Sequence, residues 1–130
     1  MTDERISVRA YVSEMGKDAF GDFLDNLRPA AAAKVVGVVE KLERGHKSGL
    51  KHVGGGVAEW ILDWGPGVRV YVHEDGDTLI LLMGGSYGKS SQSAEIADAK
   101  TLVREYKRRK KASSNSVSAD GWRHRQDIIR

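Results

Sequence analysis

The sequence predicts an α+β fold: a small antiparallel sheet with an N-terminal helical hairpin packed on one side, in the order strand-helix-helix-strand-strand-strand-helix. Three observations predict it. Apolar residues alternate with polar ones over several short segments, the mark of half-buried strands. Elsewhere they recur at i, i+3, i+4 and i+7, the stripe of a helix packed on one face. Tight-turn residues separate the last three strand-like segments, so those strands form a meander.

The first strand is read over Ile6–Val12, where Ile6, Val8, Ala10 and Val12 alternate with other residues. Phe20, Phe23, Leu24 and Leu27 form a helical stripe over about residues 17–27. Pro29 suits the first position of a second helix, where its missing N–H is not needed. Val35, Val38, Val39 and Leu42 repeat the stripe, and Gly45 is a natural stop. The short join makes the two helices an antiparallel hairpin. Residues His46–Gly56 are polar and glycine-rich, and are expected to be a loop. Ala58, Trp60, Leu62 and Trp64 then alternate along a strand with an aromatic-rich buried face. Gly65-Pro66-Gly67 turns the chain into Val68, Val70 and Val72, and Asp75-Gly76 is a hairpin signal. Thr78–Met83 is almost wholly apolar, as in a strand covered on both faces. After the glycine-rich Gly84–Lys89 loop, Ala99, Leu102, Val103 and Tyr106 form the last helical stripe, which ends in Arg108-Arg109-Lys110-Lys111.

At 130 residues the chain has the size of one domain, expected over 1–111, with a basic tail over 112–130 that shows no dependable periodicity and is expected to be mobile. Residues 100–130 hold ten basic and three acidic side chains, against eleven and fifteen in 1–99, so any pull on polyanions sits in the last quarter. No apolar run approaches the roughly 18 residues a membrane-spanning helix needs, and the N-terminus has no apolar signal region. There is no cysteine, which removes disulfides, thiolate metal sites and thiol nucleophiles together. The cytoplasm is the expected compartment.

Pairing across an Asp75-Gly76 turn would set His73 opposite Thr78, Tyr71 opposite Ile80 and Arg69 opposite Leu82. Val68, Val70 and Val72 would then face the core, leaving Arg69, Tyr71 and His73 in a row on the outer face. A cation, a phenol and an imidazole in line could bind a phosphodiester and move protons; equally, they could be the solvated side of an amphipathic strand. The loop ending in Gly88-Lys89-Ser90 lacks the Gly-x4-Gly-Lys spacing of a nucleotide-binding P-loop. His46, His52, His73 and His124 have no metal-ligand spacing, and no serine lies in a hydrolase elbow, so no metal or cofactor is expected. The basic run at the end of the last helix is either a phosphate-contacting surface or a solvated helix end whose cations complement the dipole.

Taken in order, Phe20-x2-Phe23-Leu24-Asp25-x-Leu27, Lys51-x-Val53-Gly54-Gly55-Gly56-Val57-x-Glu59, Gly65-Pro66-Gly67-x-Arg69-Val70-Tyr71, Leu79-x-Leu81-Leu82-x-Gly84-Gly85 and Gly88-Lys89-Ser90-x-Gln92 resemble the RelE/ParE toxin superfamily, and within it the HigB-like addiction-module killer proteins. The likeness covers about residues 6–106. It implies the toxin of a type II toxin–antitoxin system, held by an antitoxin that is encoded adjacently and carries a helix-turn-helix. It further implies a ribosome-dependent, metal-independent mRNA endoribonuclease that inhibits translation. By position, Arg69 and Lys89 would hold the scissile phosphate, with Tyr87, Tyr71 and His73 as acid/base candidates. Lys51 and His52 would bind or activate RNA, and Lys107, Arg108 and Arg109 are the further RNA-binding candidates. Ile61 departs from the pattern, standing where the subgroup customarily has an arginine. Two alternatives remain open: a ParE-like inhibitor of DNA gyrase, and a catalytically degenerate binding or regulatory member.

Overall fold

The computed structural model describes residues 6–63, 67–86, 91–112 and 117–118. Strand β1 (Ser7–Tyr11) is followed by helices α1 (Ala19–Asp25) and α2 (Pro29–Glu43). Strands β2 (Lys51–Gly54), β3 (Val57–Leu62), β4 (Val68–Asp75) and β5 (Thr78–Ser86) come next, then helix α3 (Gln92–Ala112) and a two-residue strand β6 (Val117–Ser118). The strands form one mixed sheet in the order β2-β3-β4-β5-β1-β6.

Local chemistry accounts for the helix ends. Asp18 caps α1 by accepting the Gly21 N–H at 2.9 Å. Pro29 opens α2, and its far end closes in a Schellman motif: the Gly45 N–H donates to the Leu42 carbonyl at 2.9 Å and the His46 N–H to that of Lys41 at 3.0 Å. Gly45 holds φ of +85°, a left-handed turn that residues with a Cβ rarely adopt.

The α+β class and the α1–α2 hairpin agree with the sequence expectation, and three features depart from it. The sheet is mixed, because the hairpin carries the chain across so that β1 runs parallel to β5, with Val8 beside Leu79. The glycine-rich stretch before Val57 is a strand and a tight turn rather than an open loop: Lys51 pairs with Glu59, and Gly54, Gly55 and Gly56 all hold positive φ. Asp75 pairs with Thr78, so the hairpin turns on Gly76-Asp77, and a bulge after Tyr71 sets Tyr71 against Met83 and Arg69 against Gly85. Of the expected mobile tail, Val117 lies in register with Tyr11 at the edge of β1. Residues 113–116 and 119–130 lie outside the described residues, as do Trp64 of the expected strand and Gly65 and Pro66 of the expected turn.

The sheet is covered on both faces. On one, Phe20 and Leu24 of α1 and Val35, Val39 and Leu42 of α2 pack on Val8, Ala10, Val70, Val72, Leu79 and Leu81. On the other, Ala99, Val103 and Tyr106 of α3 pack on Tyr11, Val57, Tyr71, Ile80 and Leu82. Adjacent glycines at the end of β5 let both layers close in. A Cβ on Gly84 would sit 2.2 Å from the Phe23 ring, and one on Gly85 would sit 2.1 Å from the Glu95 carboxyl group. Among the described residues no helix is long and apolar enough to cross a membrane.

Gly84→Ala is therefore expected to lower the unfolding free energy by about 1–3 kcal/mol, the usual cost of overpacking. Urea unfolding measures it, and Phe23→Leu in the same chain should recover part of the loss.

Candidate functional site

Alternation along β4 aims Arg69, Tyr71 and His73 at the face that α3 covers. The Arg69 guanidinium donates to both carboxylate oxygens of Glu95, Nε to Oε1 at 2.8 Å and Nη2 to Oε2 at 3.1 Å. Nη2 also reaches the Ser91 hydroxyl at 3.3 Å, and the Tyr71 hydroxyl donates to Glu95 Oε1 at 2.7 Å. The pair is nearly dry: the Arg69 side chain is 7% exposed and that of Glu95 13%. Burial works against the charge on Glu95, yet the hydrogen bonds from Arg69 and Tyr71 outweigh it and hold the carboxyl below its ordinary value. Burial, then the Glu95 and Glu59 carboxylates, push the Tyr71 phenol up, so it stays protonated as a donor. Glu59, buried on β3, accepts from the Gln92 amide at 2.8 Å.

A second cluster lies further along α3. His73 Nδ1 is 2.7 Å from the Gly56 carbonyl, so that nitrogen carries a hydrogen and donates it. The His73 ring meets Tyr106 edge to face, with centroids 5.6 Å apart. The Tyr106 hydroxyl and the Lys110 ammonium both donate to Asp75 Oδ2 at 2.5 Å, and hydrogen bonds from Lys110 and then Tyr106 keep the Asp75 carboxyl below its usual range. Near β6, Tyr11 donates to Glu105 in a short hydrogen bond, and burial together with that carboxylate raises the phenol to about 12. Arg109 reaches the Tyr11 hydroxyl at 3.1 Å and the Val12 carbonyl at 2.9 Å, while Arg108 pairs with Glu14 at 2.9 Å.

Several site expectations change accordingly. Arg69, Tyr71 and His73 do not stand on an open outer face; α3 buries all three, because the Ile80 and Leu82 side chains beside them need a cover. Arg108 and Arg109, expected to contact RNA, are engaged with the segment after β1, whereas Lys107 is exposed. Lys51 shares a sheet row with Glu59 and Tyr71 but is exposed at the edge strand. His52 pairs in register with Ala58 on the other side of the sheet and sits 3.3 Å from Glu74, away from the Arg69 group. Tyr87 and Lys89 lie outside the described residues. Among the described residues, no group of three or more His, Asp or Glu is arranged to hold a metal ion.

Glu95 and Asp75 organise these clusters; sequence reasoning passed over Glu95 and read Asp75 only as a turn residue. A signal for Glu95 was present. It lies four residues before Ala99, and Gln92 seven before, on the stripe that runs to Val103 and Tyr106. An acid on the buried stripe of a helix requires a cation from the surface it packs on.

Fold and site together define a small α+β protein whose mixed sheet is closed on one face by a helical hairpin and on the other by one helix, seated through a buried ion pair. No family model matches the chain. It is similar to an uncharacterized protein of Haemophilus influenzae, 38% identical over 89 residues that cover 68% of this chain and 86% of that protein. The chain belongs to the same family as that protein.

Removing one partner of a buried pair strands the other's charge, so Arg69→Met is expected to cost about 3–5 kcal/mol, with much of it regained in Arg69→Met/Glu95→Met. Chemical denaturation of the three chains measures both effects. The pH dependence has a definite sign. Glu95 and Asp75 hold carboxyls below their unfolded values, so their stabilisation is complete above the unfolded carboxylate range and is lost as pH falls through the folded values. Melting temperature should drop on acidification, and more shallowly in the double variant.

Proposed function

We propose that this chain is the toxin component of a type II toxin–antitoxin system of the RelE/ParE, HigB-like kind, and that it inhibits translation by binding RNA at the ribosome without cutting it through Arg69. The ordered motifs from Phe20 to Gln92 support the toxin assignment. So does their distribution over the fold: the helical hairpin, the β2–β3 turn, the β4 arginine strand and the β5 double glycine each carry one.

The observation that carries the mechanistic half is the seating of Arg69. Cleavage of a phosphodiester by a neighbouring 2′-hydroxyl needs a preorganised cation free to take the developing charge. Here that fork is filled by a carboxylate at 2.8 and 3.1 Å, beneath a helix. Tyr71 spends its hydroxyl proton on the same carboxylate, and His73 uses Nδ1 on a backbone carbonyl. These groups hold α3 in place. They are arranged for stability rather than for proton transfer, and Ile61 adds a half-exposed apolar group beside Arg69 where a second cation is customary. A cognate antitoxin, encoded next to this chain, is the proposed protein partner.

Induction of the chain without its neighbouring reading frame is expected to arrest growth and protein synthesis while mapped transcript ends stay intact. In-frame cuts within translated codons would restore the endoribonuclease assignment. Arrest accompanied by DNA damage would instead indicate gyrase as the target, and unimpeded growth would remove the toxin assignment.

A further inference from the structure

The C-terminal half of α3 sorts its cations into two kinds. Arg109 is spent on Tyr11, Val12 and Glu105, Arg108 on Glu14, and Lys110 on Asp75. Lys107 and Lys111 are exposed, and neither has a carboxylate partner among the described residues. Two grooves open at this end of the helix. One, of about 400 Å³, has His73, Asp75 and Tyr106 at its base and Lys107, Lys110 and Lys111 along its rim. The other, of about 540 Å³, is lined by Lys107, Arg108, Lys111 and Ala112. Lys107 and Lys111 line both and so form the ridge between them.

We propose that this ridge is a phosphodiester-binding site, at which Lys107 and Lys111 contact neighbouring phosphates of a single nucleic-acid strand whose backbone passes from one groove to the other. It rests on the RNA-directed function proposed above and names the surface that would serve it. The two ammonium groups stand on one helix face four residues apart, about 6 Å along the axis, and so present charge at two successive points rather than one. A regularly charged polymer exploits that spacing; a lone carboxylate would neutralise only one of them. The base of the first groove is held rigid, since Asp75 is fixed by Tyr106 and Lys110, and Tyr106 packs on His73. That rigidity limits the ordering cost of binding to the two lysine side chains. Arg69 and Glu95 take no part.

The test uses the full chain and fluorescence anisotropy with a labelled twelve-nucleotide oligouridine, its DNA counterpart, and a salt series. Two neutralised phosphates contribute a slope of about −1.4 to log affinity against log salt on a single strand. Lys107→Gln/Lys111→Gln should remove that contribution, weakening binding at 0.1 M salt by roughly 25-fold relative to lines that meet at 1 M. Lys41→Gln, an exposed cation on the helix that covers the opposite face of the sheet, should leave slope and affinity nearly unchanged. Equal losses for RNA and DNA would support a pure backbone site; a loss confined to RNA would support one that also reads the 2′-hydroxyl. No binding by the parent chain, an unchanged double variant, or an equal loss from Lys41→Gln would overturn the proposal. Capture of the antitoxin, and not of nucleic acid, through these two lysines would overturn it as well. Should the double variant lose RNA binding yet still arrest growth, the site stands and the RNA-directed function falls.

Discussion

The ion pair between Arg69 and Glu95 is the constraint around which the rest of the molecule is arranged. It joins a central strand to the first turns of α3 through two parallel hydrogen bonds, with Tyr71 closing on the same carboxylate. Two charges taken out of water gain little over a good apolar contact, but they fix direction and register, since any other seating leaves a charge without its partner. The sheet makes room for it. The hairpin register and the bulge after Tyr71 together place Gly85, and not a leucine, opposite Arg69, and the carboxylate lies where a Cβ would be.

With its N-terminal end set in that way, α3 is tied down again further along. Tyr106 and Lys110 bind Asp75 at the β4–β5 hairpin, and Arg109 and Glu105 bind Tyr11 at the end of β1. The positive charge that the composition concentrates after residue 100 is thus not one surface. Among the described residues, Arg109 and Lys110 fasten α3 to the sheet, while Lys107 and Lys111 make no such bond. This division separates residues whose loss would loosen the helix from those whose loss would change only what the surface attracts.

How much of this was legible in the sequence depends on the range of the signal. The helices followed from local periodicity and from Pro29 and Gly45, strands β1, β3 and β4 from alternation, and β5 from its apolar run. Pairing of β1 with β5 was not legible, because no local pattern reports which strand a distant one will join. The exposure assigned to Arg69, Tyr71 and His73 failed for a different reason. Thr78–Met83 is apolar at successive positions, and Ile80 and Leu82 lie on the same face as that row. An apolar strand face beside the row already required a cover, and the α3 stripe was the unassigned element able to supply it. The glycines before Val57 suggested a loop because glycine marks both open loops and tight turns. Only the pairing of Lys51 with Glu59 distinguishes them.

The parallel pairing of β1 with β5 also bears on how the chain acquires its fold during synthesis. Val8 and Leu79 are neighbours in space and 71 positions apart in sequence. Until Thr78–Ser86 has been made, the first strand has no partner and the α1–α2 hairpin has no complete surface to rest on. Such distant closures are slow, since the entropy of a long loop must be overcome before any contact rewards it. A nascent chain halted before residue 78 would expose the inner side of its helices and an unsatisfied strand edge, a state prone to association with other chains. Completion therefore comes late and nearly all at once, with α3 made only after β5, on which it packs.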